Sequence, residues 1–453
     1  MKKSWILILT AAVLLGLLWA NISPADTPAP APPVSSETAI TDDNAPESGS
    51  GLRRMVDDGV FKLLLIGNSF SQDAANCGQG MKDSQLCDIL HAMLGEDVDI
   101  IVGLLYSGGK GLNWHATQAA LDKRSYTFSM IKSKVGTWDD WGTSTTSYAL
   151  SLTDWDVVTL QPYNIDPATG IEKLYYPDET AEQFYPLKAA GEYMLDYVSQ
   201  YAPSAEVYFY MHWATTKDTV FDSGMAKYLP MAEYVPTVLD FTGPDSGKQF
   251  RDIIPVGLAV QNARTTYLSR LSYNPTAYDD GKLNLKTDAQ IGLQRDNAHV
   301  SFNIGRYIAA LTFAETIIPS DLRTAGYILP DIRTTESIGS LPQEYTEIAR
   351  RSVLAAVNSW QNGNLSVTPI RDFSHNPAET AAETIKSLSL SVKDGSAKDV
   401  AAQIRKAVSA VLPEDCTVVT VIPGADSLSA DVTIRFGYTS VTVPLPYAIA
   451  SHS

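Results

Sequence analysis

Apolar positions along this chain come in two textures. Unbroken apolar runs occur at Phe61–Ile66, Val98–Leu105, Trp155–Leu160, Val207–Met211 and Ile253–Val260. Runs without polar alternation predict strands buried on both faces, as in a parallel sheet covered by helices. Between them the apolar residues recur at helical spacing. Leu86, Ile89, Leu90 and Met93 form one stripe, and Ala189, Met194, Leu195 and Val198 form another. Strand and helix in alternation predict an α/β fold: a doubly wound, flavodoxin-like parallel sheet of about five strands, with its reactive loops at the carboxyl ends of the strands.

The segment Lys134–Asp154, rich in Thr, Ser, Trp and Asp, interrupts this rhythm and is expected to be an insertion or long loop near the sheet's carboxyl edge. A strong helix over Ser301–Ile317 and helical sequence over Gln343–Trp360 close the domain, assigned to residues 58–362. Gln361-Asn362-Gly363-Asn364 then breaks the chain. Residues 367–453 read as a small α+β domain, with helices near Ala378–Leu390 and Ala397–Val411 and strands at Thr417–Ile422 and Asp431–Val443. In the last strand Val432, Ile434 and Phe436 alternate with polar residues, as in a half-exposed antiparallel strand.

The N-terminus changes the compartment. Lys2 and Lys3 precede an apolar run from Trp5 to Trp19, the pattern of a secretory signal over residues 1–22. The blurred cleavage region at Ala20–Ala25 leaves an uncleaved membrane anchor as the alternative. Residues 23–57, rich in Pro, Ala, Ser and Thr, lack the large apolar side chains needed to offset ordering entropy, and are expected to form a disordered tether. The body of the protein is therefore expected to be extracellular or at the cell surface, tethered through its N-terminus to a membrane or cell wall.

Charge narrows the partners. Asp and Glu number 51 against 34 Lys and Arg, a net charge of −17, which repels phosphate backbones and argues against nucleic acid. Three cysteines do not make a disulfide scaffold. Cys77 and Cys87 are close enough in sequence to bridge, two unpaired thiols being the alternative, and Cys416 stands apart. No cysteine–histidine spacing suits zinc, so neither metal nor cofactor is expected.

Two loops carry candidate chemistry. Gly67-Asn68-Ser69-Phe70-Ser71 follows the first buried run, where a doubly wound fold exposes its reactive turn. Asp296-Asn297-Ala298-His299 stands just before the closing helix. A serine hydroxyl needs a base to become a nucleophile, histidine suits that work near neutral pH, and an acid must fix the imidazole tautomer. Asp296 and His299 supply both from one loop. The G-x-S-x-G elbow of α/β-hydrolases is absent.

These blocks resemble the SGNH/GDSL hydrolase superfamily and, within it, the DUF4886 group. The resemblance rests on Ile66 to Ser71, on Gly108-Gly109-Lys110-Gly111-Leu112-Asn113-Trp114-His115, on Trp155 to Gln161, and on Asp296 to His299 with Ser301 and Gly305. It spans residues 60 to 320. It implies an SGNH hydrolase fold and a catalytic Ser69, His299 and Asp296. It also implies an oxyanion hole from the N–H groups of Ser69 and Gly109, Gly108 being the alternative, with the Gln161 amide as third donor. Two departures stand out: G-N-S replaces G-D-S, and Gln161 replaces the usual Asn of a G-x-N-D block, leaving Asn164 as a competitor. Trp114, His115, Tyr163, Asn164 and Trp213 are expected to line the substrate site, and Trp138, Trp141 and His212 fall on the same edge. His91 reads as structural, and His375 and His452 lie outside the α/β domain. The expected activity is an esterase acting on an acylated small molecule or glycan, foremost by removing O-acyl groups from extracellular carbohydrate. Phospholipid or thioester hydrolysis would use the same residues. A non-catalytic glycan-binding or adhesion protein is the other class.

Overall fold

A computed structural model describes residues 58–75, 84–132, 137–163, 165–166, 170–172, 183–184, 186–215, 221–270, 278–279, 282–283, 292–332, 341–413, 415–425, 428–436 and 439–450. The signal segment, the tether, Cys77, Asn164 and His452 lie outside these residues, as do the side chains of Trp138 and Trp141.

The central sheet has seven strands: β1 (Val60–Gly67), β2 (Asp99–Tyr106), β3 (Tyr126–Lys132), β4 (Thr137–Ser144), β5 (Val157–Leu160), β8 (Glu206–Tyr210) and β9 (Asp252–Ile254). Two short hairpins lie outside it, β6 (Ile165–Asp166) with β7 (Ile171–Glu172), and β10 (Tyr278–Asp279) with β11 (Lys282–Leu283). The sheet order is β4-β3-β2-β1-β5-β8-β9, and every pairing from β2 to β9 is parallel. The parallel part is thus the five-stranded core that the apolar runs predict. From β1 the chain winds first to β2 on one side and later to β5 on the other. The direction of winding therefore reverses between β1 and β5, the switch point at whose carboxyl ends open α/β sheets place their ligands.

The helices are α1 (Ser69–Ala75), α2 (Gln85–Leu94), α3 (Leu112–Ala120), α4 (Thr146–Ser151), α5 (Leu187–Tyr201), α6 (Phe221–Tyr234), α7 (Val256–Ala263), α8 (Ile304–Ile317) and α9 (Gln343–Gln361). Helix α8 packs against α1, α2, α7 and α9, while α3, α4 and α5 pack on one another as a second group. Helix α8 is buried nearly all round, Ile304, Tyr307, Ile308, Leu311 and Phe313 included, so it lacks the polar face of a surface helix.

Three expectations are corrected. Lys134–Asp154 is not simply a loop: β4 pairs antiparallel with β3, itself antiparallel to β2, and α4 follows. The run Ile253–Val260 is a strand only to Ile254. Pro255 precedes α7, whose residues are all buried, and a buried helix and a buried strand look alike in composition. In the C-terminal domain, Asp431–Val443 spans two strands, β14 (Ser429–Phe436) and β15 (Thr439–Ile449), because apolar alternation continues on both sides of Gly437-Tyr438.

That domain holds a four-stranded sheet in the order β12-β15-β14-β13, with β12 (Leu390–Val392) and β13 (Cys416–Pro423) at its edges. Helices α10 (Pro377–Lys386) and α11 (Ala397–Ser409) pack on it, each opened by a capping box, Asn376 with Glu379 and Ser396 with Asp399. Thr420, Thr433 and Thr442 form a hydroxyl ladder across its strands, at 2.8 and 2.9 Å. On the edge strand, Arg405 of α11 donates to the Val418 carbonyl and, at 3.0 Å, to that of Val419.

Candidate active site

Strand β1 ends at Gly67, and the turn Asn68–Ser69 opens α1 at the β1/β5 switch point. Neighbouring side chains leave no room for a side chain at residue 67: a Cβ there would lie 2.1 Å from Ser71 Oγ and 2.6 Å from Gln161 Oε1. The turn is braced by Gln161, which is fully buried just past β5. Its Oε1 accepts from Asn68 N (3.2 Å), Ser71 N (3.0 Å) and Ser71 Oγ (2.7 Å). Its Nε2 donates to Asn68 Oδ1 (2.9 Å) and to the Pro162 carbonyl (3.1 Å). Two backbone N–H groups facing one end of the amide identify that end as oxygen.

Ser69 is half-buried. Its Oγ lies 2.7 Å from His299 Nε2, and His299 Nδ1 lies 2.9 and 3.1 Å from the Asp296 carboxylate oxygens. Asp296 Oδ1 also accepts from the N–H groups of Ala298 and His299, each at 2.7 Å. Burial alone would raise the Asp296 pKa. The bonds from the His299 ring and from the two N–H groups outweigh it and hold this carboxyl at about 2. The carboxylate is therefore ionised at any working pH. With Nδ1–H donated to Asp296, the tautomer leaves Nε2 free to take the Ser69 proton.

The glycine block after β2 is tied to this turn. Ser107 N donates to the Gly67 carbonyl (3.0 Å), and Asn68 Nδ2 donates to the Lys110 carbonyl (2.8 Å). Lys110 N closes a turn onto Ser107 O (3.4 Å), with Gly109 in its third position at φ +67°, a conformation that favours glycine. No backbone bond occupies the N–H groups of Ser69 or Gly109 among the described residues.

Other expected site residues take different places. Both donor hydrogens of Gln161 are used within the protein, so its amide is a brace for the turn rather than an oxyanion donor. His115 is fully buried, bonded through Nδ1 to Tyr126 Oη (3.0 Å) and stacked on that ring. Burial, helped by Lys110, lowers its pKa to about 3, so it is a neutral core residue and does not line the site. Trp114 packs edge-on against Tyr126, with Lys110 Nζ 5.5 Å from its ring. Trp213 is fully buried and donates from Nε1 to the Ala298 carbonyl (2.7 Å), so it steadies the histidine loop instead of offering a ring to substrate. Tyr163 stacks on Phe70 at 5.9 Å, and His212 does so at 4.9 Å. Burial lowers the His212 pKa to about 4 against the opposing effect of its bond to the Trp213 carbonyl.

Two groups are absent from the motif reading. Glu172, fully buried on β7, accepts from the N–H groups of Leu112 (2.9 Å), Asn113 (2.7 Å) and Tyr163. It thereby pins the β6–β7 hairpin to the start of α3, whose N-cap Gly111 has no side chain to do so. Burial pushes its carboxyl up to about 7, while the N–H bonds from Asn113, Tyr163 and Leu112 pull the other way. Asp73 is the second. It is fully buried on α1 and paired with Arg295 and Arg306. Asp73 lies four residues after Ser69, and an arginine within the apolar run of α8 signals a buried partner. Among the described residues no group of three or more His, Cys, Asp or Glu is arranged to hold a metal ion.

Fold and site together define a mixed α/β protein with a mostly parallel sheet, a small C-terminal sheet domain, and a hydrogen-bonded Ser–His–Asp chain at the sheet's carboxyl edge. The family model described as "Domain of unknown function (DUF4886)" matches residues 62–340, and the chain belongs to that family. Among solved structures it is similar to the crystal structure of a DUF4886 family protein from Bacteroides uniformis ATCC 8492. The two are 20% identical, the match covers 69% of this chain and 99% of that one, and the TM-score is 0.48. No curated protein matches the chain.

Proposed function

We propose that the protein is a serine hydrolase of the SGNH/GDSL type, an exported esterase that removes an O-acetyl or other O-acyl group from an extracellular carbohydrate. The observation that carries the reading is the continuous chain Ser69 Oγ–His299 Nε2–Asp296, at 2.7 and 2.9 Å. Ser69 Oγ attacks the ester carbonyl carbon while His299 Nε2 takes its proton. The carbonyl electrons move onto oxygen, and the N–H groups of Ser69 and Gly109, which no backbone bond occupies among the described residues, are the proposed donors to it. Such donors are worth roughly 2.7–4 kcal/mol each in the transition state. The tetrahedral intermediate collapses, the sugar oxygen leaves with the proton from His299, and Ser69 is acylated. Water, deprotonated by His299, then attacks the acyl carbon, and the second intermediate collapses as Ser69 Oγ leaves with the proton from His299, releasing the acid. Asp296 stays ionised throughout and stabilises the imidazolium.

The test is hydrolysis of p-nitrophenyl acetate by the purified ectodomain beside Ser69→Ala and Asp296→Asn. Ser69→Ala is expected to lose about 10⁶-fold in kcat, and Asp296→Asn about 10⁴-fold, with unchanged circular dichroism. Equal rates in wild type and Ser69→Ala would overturn the assignment. Acetate release from acetylated glycans then identifies the alcohol.

A further inference from the structure

Behind the nucleophile lies a group of charges that the proposed reaction does not consume. Asp73 follows Ser69 by one helical turn, so both side chains lie on one face of α1. Its carboxylate accepts from Arg295 Nη1 at 2.9 and 3.0 Å and from Arg306 Nε at 2.9 Å. Both guanidinium groups lie over the ring of Phe302, at 4.3 and 4.4 Å. The two arginines have different origins: Arg306 belongs to α8, whereas Arg295 immediately precedes Asp296 on the loop that carries the acid and the base.

That loop is a closed turn. Arg295 N donates to the His299 carbonyl (3.1 Å) and Ser301 N to that of Leu293 (2.9 Å), while Arg295 Nη1 also reaches the Val300 carbonyl. Its tip is held by Trp213 and its base by the bond from Arg295 to Asp73. The nucleophile and the base thus stand on separate elements, α1 and the 293–301 loop, joined near the reacting atoms by one ion pair. Buried ion pairs contribute little net stability relative to apolar side chains of the same volume. Their placement is another matter: Arg295 Nη1 is shared between both Asp73 carboxylate oxygens and the Val300 carbonyl, so one nitrogen ties the nucleophile helix to the loop of the base.

We propose that Asp73 and Arg295 are positioning residues, a charge clamp that sets the Ser69–His299 separation by holding the Asp296–His299 loop against the nucleophile helix. The inference rests on the serine-hydrolase reading. Arg306 balances the same carboxylate from a helix that carries no reacting group, so it contributes to folding and not to registration. The two arginines therefore make a pair for comparison: both bond Asp73, Arg295 twice and Arg306 once, but only Arg295 belongs to the loop of the base.

The test is the second-order rate at which a fluorophosphonate labels Ser69, together with thermal unfolding, in wild type, Arg295→Met, Arg295→Lys and Arg306→Met. Wild type is expected to label at Ser69. Arg295→Met is expected to label about 100-fold more slowly at a temperature where it is folded, the cost of a displacement near 1 Å. Arg306→Met is expected to be destabilised yet to label near the wild-type rate. Arg295→Lys, which keeps the charge but not the planar guanidinium, should recover part of the loss, with KM for p-nitrophenyl acetate unchanged and kcat reduced. If Arg295→Met does not fold, the lysine variant carries the test through that split of kcat from KM. Equal slowing by Arg295→Met and Arg306→Met, or wild-type labelling in Arg295→Met, overturns the clamp. Absence of labelling in wild type would instead remove the hydrolase reading, and the clamp with it.

Discussion

The carboxyl edge of the large sheet and the C-terminal domain handle polar groups in opposite ways. At the sheet edge, Gln161, Asp73, Glu172, Arg295 and Arg306 are all buried, each bonded to groups distant in sequence. In the C-terminal domain the main polar bonds are short-range or exposed: two capping boxes, the threonine ladder, and Arg405 on its edge strand. Buried polar groups are costly to leave unpaired, so a network of them fixes one arrangement, whereas exposed ones can exchange partners with water. Precision of placement is thus concentrated in the part of the molecule that holds the Ser69–His299–Asp296 chain of hydrogen bonds.

Three substitutions probe that contrast. Gln161→Leu should have the largest effect. It leaves the Asn68 and Ser71 N–H groups buried without an acceptor, at about 1–3 kcal/mol each. Stability and p-nitrophenyl acetate hydrolysis should fall together, the latter by about 100-fold. A fall in kcat without loss of stability in urea would return Gln161 to the oxyanion hole. Glu172 comes next. Its folded pKa, about 7, lies above the ordinary 4.5. The folded state therefore binds the extra proton, and stability is highest below pH 4.5 and declines as pH rises towards 7. The decline is at most about 1.4 kcal/mol for each pH unit in that window. Glu172→Gln should remove this slope from the urea unfolding free energy measured at pH 4.5 and 7.5, and an unchanged slope would place the titration elsewhere. Asn376→Ala should have the smallest effect, about 1 kcal/mol from the lost N-cap of α10, with hydrolysis unaltered. If hydrolysis fell as well, the C-terminal domain would have to be coupled to the site.

How well the sequence foretold each part follows the same division. Strands β1, β2, β5 and β8 were readable because strands covered on both faces are apolar throughout, and α10 and α11 because they are amphipathic and capped. Strand β4 was not, since its Thr, Trp and Asp composition resembles that of a loop. Ser69, Asp296 and His299 stand in short local patterns at strand and helix ends, which made them visible. Asp73 and Arg295 are 222 residues apart, and nothing local to either announces the other. Gln161 was placed at the correct strand end, but which way its amide points depends on N–H groups 90 and 93 residues earlier. Trp213 and His115 looked like ligand-facing residues because large rings occur both in pockets and in packed cores, and burial alone separates the two cases.

The Arg405 contacts on β13 bear on how copies of this protein would behave when crowded. An unpaired edge strand offers a template on which another chain can add by backbone bonding. A guanidinium seated on the Val418 and Val419 carbonyls, where the β13–β14 register shifts, occupies two backbone acceptors of that edge strand. Packed side by side, neighbouring molecules would meet a cation at that point of the rim.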